Sequence, residues 1–150
     1  MTLSTRRALL YATLTVGILD AADAIIFFGL RSGVRPIRIF QSIAAGLLGR
    51  ASFSGGLRTA LLGVALHFFI AFAIVAVFFA ASRRLSGLRQ WPVASGLLYG
   101  IAVYLFMNLV VLPLSAAGRP TFVWSVVLND ILIHMLGVGL PTALFASRSR

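Results

Sequence analysis

Cysteine and lysine are both missing from these 150 residues, and only three acids, Asp20, Asp23 and Asp130, stand against 13 arginines. Without cysteine there is no disulfide, no thiolate metal site and no thiol chemistry, and the redox compartment leaves no mark on the sequence. The shortage of acids gives a formal charge of +10. So basic a chain raises the question of nucleic acid, but the arginines fall at the ends of apolar runs, where such residues meet lipid headgroups and set topology. That placement argues against a nucleic-acid partner. Long polar stretches are also missing, so no soluble domain is available to house conventional catalysis, and enzymatic activity is not expected.

What the chain has instead is hydrocarbon. Apolar residues make up 60% of it and the mean hydropathy is +1.02, well above a soluble domain of this length. This is the composition of an integral membrane protein. The central run, residues 57–81, is long enough to cross a bilayer and carries His67 near its middle. An ionisable group at that depth costs several kcal/mol (about 2.5 or more) unless something meets it. Comparable runs cover residues 8–30, 91–113 and 121–146, predicting an all-α bundle of four transmembrane helices in a single domain. In the first run, Arg6 and Arg7 followed by an apolar stretch and Ala22-Asp23-Ala24 also fit a cleavable signal peptide. The apolar run continues past that point, which favours an uncleaved span.

Between the first two spans, Ile37, Phe40, Ile43, Ala44, Leu47 and Leu48 recur at helical spacing, with Arg35, Arg38, Gln41, Ser42 and Arg50 mostly on the other side. The spacing predicts a short amphipathic helix at about 36–50. Two placements fit it: in the interface with Arg35, Arg38 and Arg50 on lipid phosphates, or packed on the bundle as a connection. Four spans put both termini on one side. Seven arginines then lie on that side (Arg6, Arg7, Arg83, Arg84, Arg89, Arg148, Arg150) and six opposite (Arg31, Arg35, Arg38, Arg50, Arg58, Arg119). Five of the six belong to or flank the amphipathic segment, so the compact Arg83-Arg84-Arg89 loop tilts the balance toward cytoplasmic termini in a bacterial inner membrane.

Each span carries one stripe of small and polar residues. In the first, Thr13, Gly17, Asp20 and Ala24 share a face with Asp23 at its edge; in the second, Thr59, Gly63, His67 and Ala71 do. Gly96, Gly100, Tyr104 and Asn108 mark the third, opening with GxxxG. Asp130, His134, Gly137 and Pro141 mark the fourth, with Asn129 beside them. Small residues let backbones approach and polar groups then bond across the contact, so these stripes form the bundle interior, with Gly17, Gly63, Gly96, Gly100 and Gly137 as packing points. Counted from the end opposite the termini, Asp20, His67 and His134 lie at similar depth, with Asp23, Asn108 and Asp130 shallower.

Such a cluster has several readings. Its members can simply bond one another and fix helix register. They can form a proton or cation path, because burial disfavours the charged form of both carboxyl and imidazole and lets an Asp–His pair exchange a proton near neutral pH. Asp20, His67 and His134 can also bind a divalent metal, or the two histidines can bracket a haem. A hydrolase would pair Asp130 and His134 with Ser115 or Ser125, but no nucleophile motif supports it. The polar stripes can equally pack against a second copy or a partner subunit.

The second-span histidine in LHFFIAFAIVAVFFA, the small-residue third span ending MNLVVLPLS and the acid and histidine of NDILIH together resemble uncharacterised bacterial inner-membrane proteins of the YagU-like kind. The likeness runs over residues 63–140 and leaves out the first span with its two aspartates. It implies a small multi-span inner-membrane protein connected with acid tolerance, and marks His67, Asn108 and His134 as a set.

Overall fold

A computed structural model describes residues 3–118 and 121–149. Arg119 and Arg150, both counted in the charge balance, lie outside the described residues. Four helices are long and apolar enough to span a membrane: α1 (Thr5–Ser32), α3 (Gly56–Arg84), α5 (Pro92–Leu114) and α6 (Trp124–Ser147). Between them sit α2 (Pro36–Leu48), continued by a 3-10 segment (Gly49–Ser54), and the one-turn α4 (Gly87–Gln90). The protein is a small polytopic membrane protein with an all-helical fold, and its exposed leucines and phenylalanines, such as Leu10, Leu61, Phe69 and Leu98, meet lipid.

Several helices run past the apolar windows into their basic flanks. α3 continues through Arg83 and Arg84, whose charges suit the carbonyl end of a helix and whose long stems carry them to the interface. α1 ends where Gly33 takes a left-handed conformation (φ 63°), its N–H bonding to the Gly29 carbonyl. α6 starts later than hydropathy alone indicates, at Trp124, because residues 121–123 are not helical.

Two π-helical turns break the regularity of the bundle, Met107–Val111 in α5 and His134–Gly139 in α6. Each ends just before a proline, Pro113 or Pro141. A proline ring clashes with the carbonyl four residues earlier and supplies no N–H, and widening the preceding turn relieves both problems.

The half of the bundle near the termini is dry. Ala8, Ala12 and Val16 of α1, Ala71, Val75 and Phe78 of α3, and Val138, Ala143 and Ala146 of α6 form one buried cluster. The two described chain ends meet there, with Leu3 N–H bonded to the Arg148 carbonyl at 3.0 Å. Arg89 ties the α3–α5 connection to the same place by donating to the Ser149 carbonyl at 3.1 Å. Both termini therefore share one end of the bundle.

At the opposite end α2 crosses from α3 to the end of α5. A side chain at Gly63 would fall on the Phe40 carbonyl, so the glycine lets the two backbones touch. Gln41, only 2% exposed, donates to the Gly56 carbonyl at 3.0 Å and to Thr59 Oγ1 at 3.4 Å. Farther along, Ala116 N–H bonds the Gly46 carbonyl at 2.9 Å. α2 thus packs on the bundle through Ile39, Gln41, Ala44 and Ala45. Arg35 and Arg50 are exposed, while Arg38 donates to the Phe53 carbonyl at 2.8 Å and to Gln41 Oε1 at 3.2 Å.

Candidate functional site

Between the dry half and α2 lies a cavity of about 330 Å³ to which α1, α2, α3, α5 and α6 all contribute. Asp20, Asp23, His67, Asn108, Asp130 and His134 line it together, so all three acids and both histidines of the chain share one space. Its remaining walls are mostly apolar.

His67 occupies the deeper part, held between the rings of Phe40 and Phe68 with centroids at 6.5 and 5.4 Å. Its Nε2 lies 2.8 Å from the Gly17 carbonyl. A carbonyl can only accept, so Nε2 carries a hydrogen and donates it. The other nitrogen, Nδ1, faces Asp20 Oδ2 at 3.9 Å, too long for a hydrogen bond and close enough for strong electrostatic interaction. Gly17 has a second role: a side chain there would run into the Phe68 ring.

His134 is held in the opposite sense. Its Nδ1 lies 2.7 Å from the Asp130 carbonyl and 3.2 Å from Asp130 Oδ1, so Nδ1 carries the hydrogen and Nε2 is left free of hydrogen bonds among the described residues. Asp130 Oδ2 accepts from Asn108 Nδ2 at 3.3 Å, and the same amide donates to the Tyr104 carbonyl at 3.0 Å. Asp23 Oδ2 accepts from Asn129 Nδ2 at 2.6 Å, joining α1 to α6. Asp20 itself interacts electrostatically with both histidines and with Asp23 and Asp130. Each histidine therefore has one nitrogen fixed by a backbone carbonyl and one available for exchange.

The cavity is sealed toward the termini by Val16, Ala71 and the aromatic core behind them. Toward the α2 end Asp23 and Asn129 also border a surface depression with Arg31. The polar residues thus form a graded series from surface to mid-bundle.

The glycine stripes act within the chain. At Gly96 an added Cβ would lie 2.8 Å from the Gly139 carbonyl oxygen, and at Gly100 it would fall on the His134 carbonyl, so α5 lies directly on the π-turn that carries His134. Gly139 is the reciprocal contact, and the sequence reading passes over it. Gly137 is looser toward α1, with Leu19 Cβ at 3.6 Å. Sequence reasoning also undervalues Asn129, noted only as a neighbour of Asp130, and Gln41, placed on a polar face. A helical wheel cannot tell a polar side chain facing water from one bonded to a neighbouring helix.

Of the residues weighed as metal or haem ligands, Asp20, His67 and His134 share the cavity, with His67 Nε2 and His134 Nδ1 taken up by carbonyls. Among the described residues no three His, Cys, Asp or Glu side chains are grouped to hold a metal ion. Ser115 Oγ donates to the Leu112 carbonyl and Ser125 is exposed, so neither is bonded to His134. Comparison with family models, with curated proteins and with solved structures finds no match to this chain.

Proposed function

We propose that this protein is a proton-linked transporter of the bacterial inner membrane, with both termini in the cytoplasm, and that the Asp/His cavity is its proton-binding site. The observation that carries this reading is the tautomer geometry. Both imidazoles are anchored by one nitrogen on a backbone carbonyl, and His67 presents the other to the Asp20 carboxyl at 3.9 Å. A pair serving only as helix glue would be expected to close into a direct hydrogen bond. Here the Asp20–His67 gap leaves the exchangeable positions open while the ring is held in place.

A graded polar series reaching the surface at Asp23 and an apolar seal on the terminal side also suit a site loaded from one face at a time. The resemblance to YagU-like proteins connected with acid tolerance points the same way.

The test is potential-driven proton uptake by proteoliposomes, read with an internal pH dye. Wild-type protein is expected to raise uptake above protein-free liposomes, and Asp20→Asn and His67→Gln are each expected to lower it about tenfold or more, the scale on which a positioned proton-transfer group acts. Uptake equal to protein-free liposomes, or unaltered in both variants, would overturn the reading.

A further inference from the structure

The wall of the cavity is thin between α3 and α5. α3 and α5 make little direct backbone contact over their length, being bridged where the Tyr99 hydroxyl donates to the Ile74 carbonyl at 2.7 Å. Between them runs an apolar groove of about 530 Å³, lined by residues such as Phe69, Ala73, Ala102 and Phe106. Ile70, Ile74 and Met107 border both the groove and the polar cavity, so a single layer of side chains stands between the two spaces. As α3 and α5 are both membrane-spanning, the groove faces hydrocarbon rather than water.

The charge of the cavity is opposite to that of the chain. In a protein of net charge +10, the cavity holds all three carboxyls, Asp20 and Asp23 from α1 and Asp130 from α6. Facing them are His67 from α3 and His134 from α6. α2 and α5 line the cavity with no titratable group, only Ser42 and Asn108 among polar side chains, but Tyr104 of α5 packs its ring edge-on against His134 with centroids at 5.9 Å. Outside the cavity, Arg31 lies beside Asp23 in the surface depression. With its three carboxyls ionised, the cavity keeps one negative charge even when both rings are protonated. An anionic headgroup would be repelled, and a bare inorganic cation would have no use for the groove. Phe27 and Phe28 also line the cavity wall, and aromatic rings attract a soft cation. His67, 8% exposed, has Nδ1 aimed at the cavity without a hydrogen bond.

We infer that the cavity and groove form one binding site for a lipophilic organic cation, which reaches the carboxyls sideways from the bilayer through the gap between α3 and α5. The hydrocarbon part lies in the groove and the cationic centre among Asp20, Asp130 and the phenylalanine rings. The inference rests on the proton-linked reading in one respect: cation and protons compete for the same carboxyls.

The test uses tetraphenylphosphonium as the probe, with the purified protein in nanodiscs of zwitterionic lipid and binding measured by equilibrium dialysis against empty nanodiscs. Saturable binding is expected, tightening by about tenfold or more as the pH is raised from about 5 to about 8, because protons compete with the cation for the carboxyls. Asp20→Asn and Asp130→Asn are expected to weaken it, as is Ala102→Trp, which fills the groove. Leu10→Trp, on the lipid face of α1, is expected to leave it unchanged. The pH dependence of the wild type needs no variant to fold. Binding no greater than to empty nanodiscs would overturn the inference, and so would binding indifferent to pH and to both Asp variants. Proton uptake without cation binding would leave the proton-linked reading standing and remove this one. Competed cation binding without proton uptake would do the reverse.

Discussion

At the scale of single residues, the two histidines are set in opposite tautomers by the backbone. His67 donates from Nε2 to Gly17, and His134 donates from Nδ1 to Asp130, because a carbonyl oxygen offers nothing to accept. This arrangement can be read directly. In histidine-labelled protein, nitrogen NMR at a pH where both rings are neutral is expected to show one ring protonated at Nε2 and the other at Nδ1. His67→Gln should remove the first pattern and leave the second. Two rings with the same tautomer would contradict the geometry and with it the assignment of His67 Nδ1 as the nitrogen facing Asp20. Neither tautomer is legible in the sequence. Stripe and depth reasoning brings both histidines and the three aspartates to one region, but which nitrogen faces a carbonyl depends on the rotation of each helix to within a fraction of a turn.

At the scale of elements, the bundle is assembled through points where a side chain is missing. α5 lies on the π-turn of α6 at Gly100, where a Cβ would meet His134 and Met135 backbone, whereas a Cβ at Gly29 in α1 would have nothing closer than the Val34 carbonyl at 3.9 Å. Gly100→Ala is therefore expected to destabilise the protein by about 1–3 kcal/mol, the range for overpacking a well-fitted contact. Gly29→Ala is expected to stabilise it by about 0.4–1 kcal/mol through reduced backbone freedom in the unfolded chain. Thermal unfolding in mild detergent compares the two, and equal effects would mean that the α5–α6 contact is not this close. The spans were legible because hydropathy and length are properties of one helix. The π-turns and the buried position of Gln41 were not, since both answer to a neighbour: the turns to a proline clash and to the glycine face of α5, Gln41 to Gly56 and Thr59 of α3. Gly139 escaped for the same reason, being half of a pair whose other half, Gly96 and Gly100, belongs to a different span.

At the scale of the whole molecule, an even number of spans and the contact between Leu3 and Arg148 place both ends of the chain together, with α2 and the 3-10 segment at the far end. The polar series runs from that far end inward, so orientation decides which compartment its surface end faces. The charge balance is close, and the proposed orientation sets the compact pair Arg83 and Arg84 on the terminal side against Arg31, Arg35, Arg38, Arg50 and Arg58, which are spread from the end of α1 to the start of α3. A chain without cysteine is suited to settling this by introduced thiols. With Ser4→Cys, Ser86→Cys, Ser54→Cys and Ala117→Cys, all at exposed positions, a membrane-impermeant maleimide on intact cells is expected to label the last two. The first two should react only after permeabilisation. That outcome would make the cavity face the periplasmic side, where an acid load arrives, and would require the apolar seal of Val16, Ala71 and Phe78 to open before a proton reaches the cytoplasm. The reverse pattern would place the same cavity on the cytoplasmic side, as a site for protons or cations leaving the cell. Labelling of Ser4→Cys and Ser86→Cys from opposite sides would break the four-span topology itself.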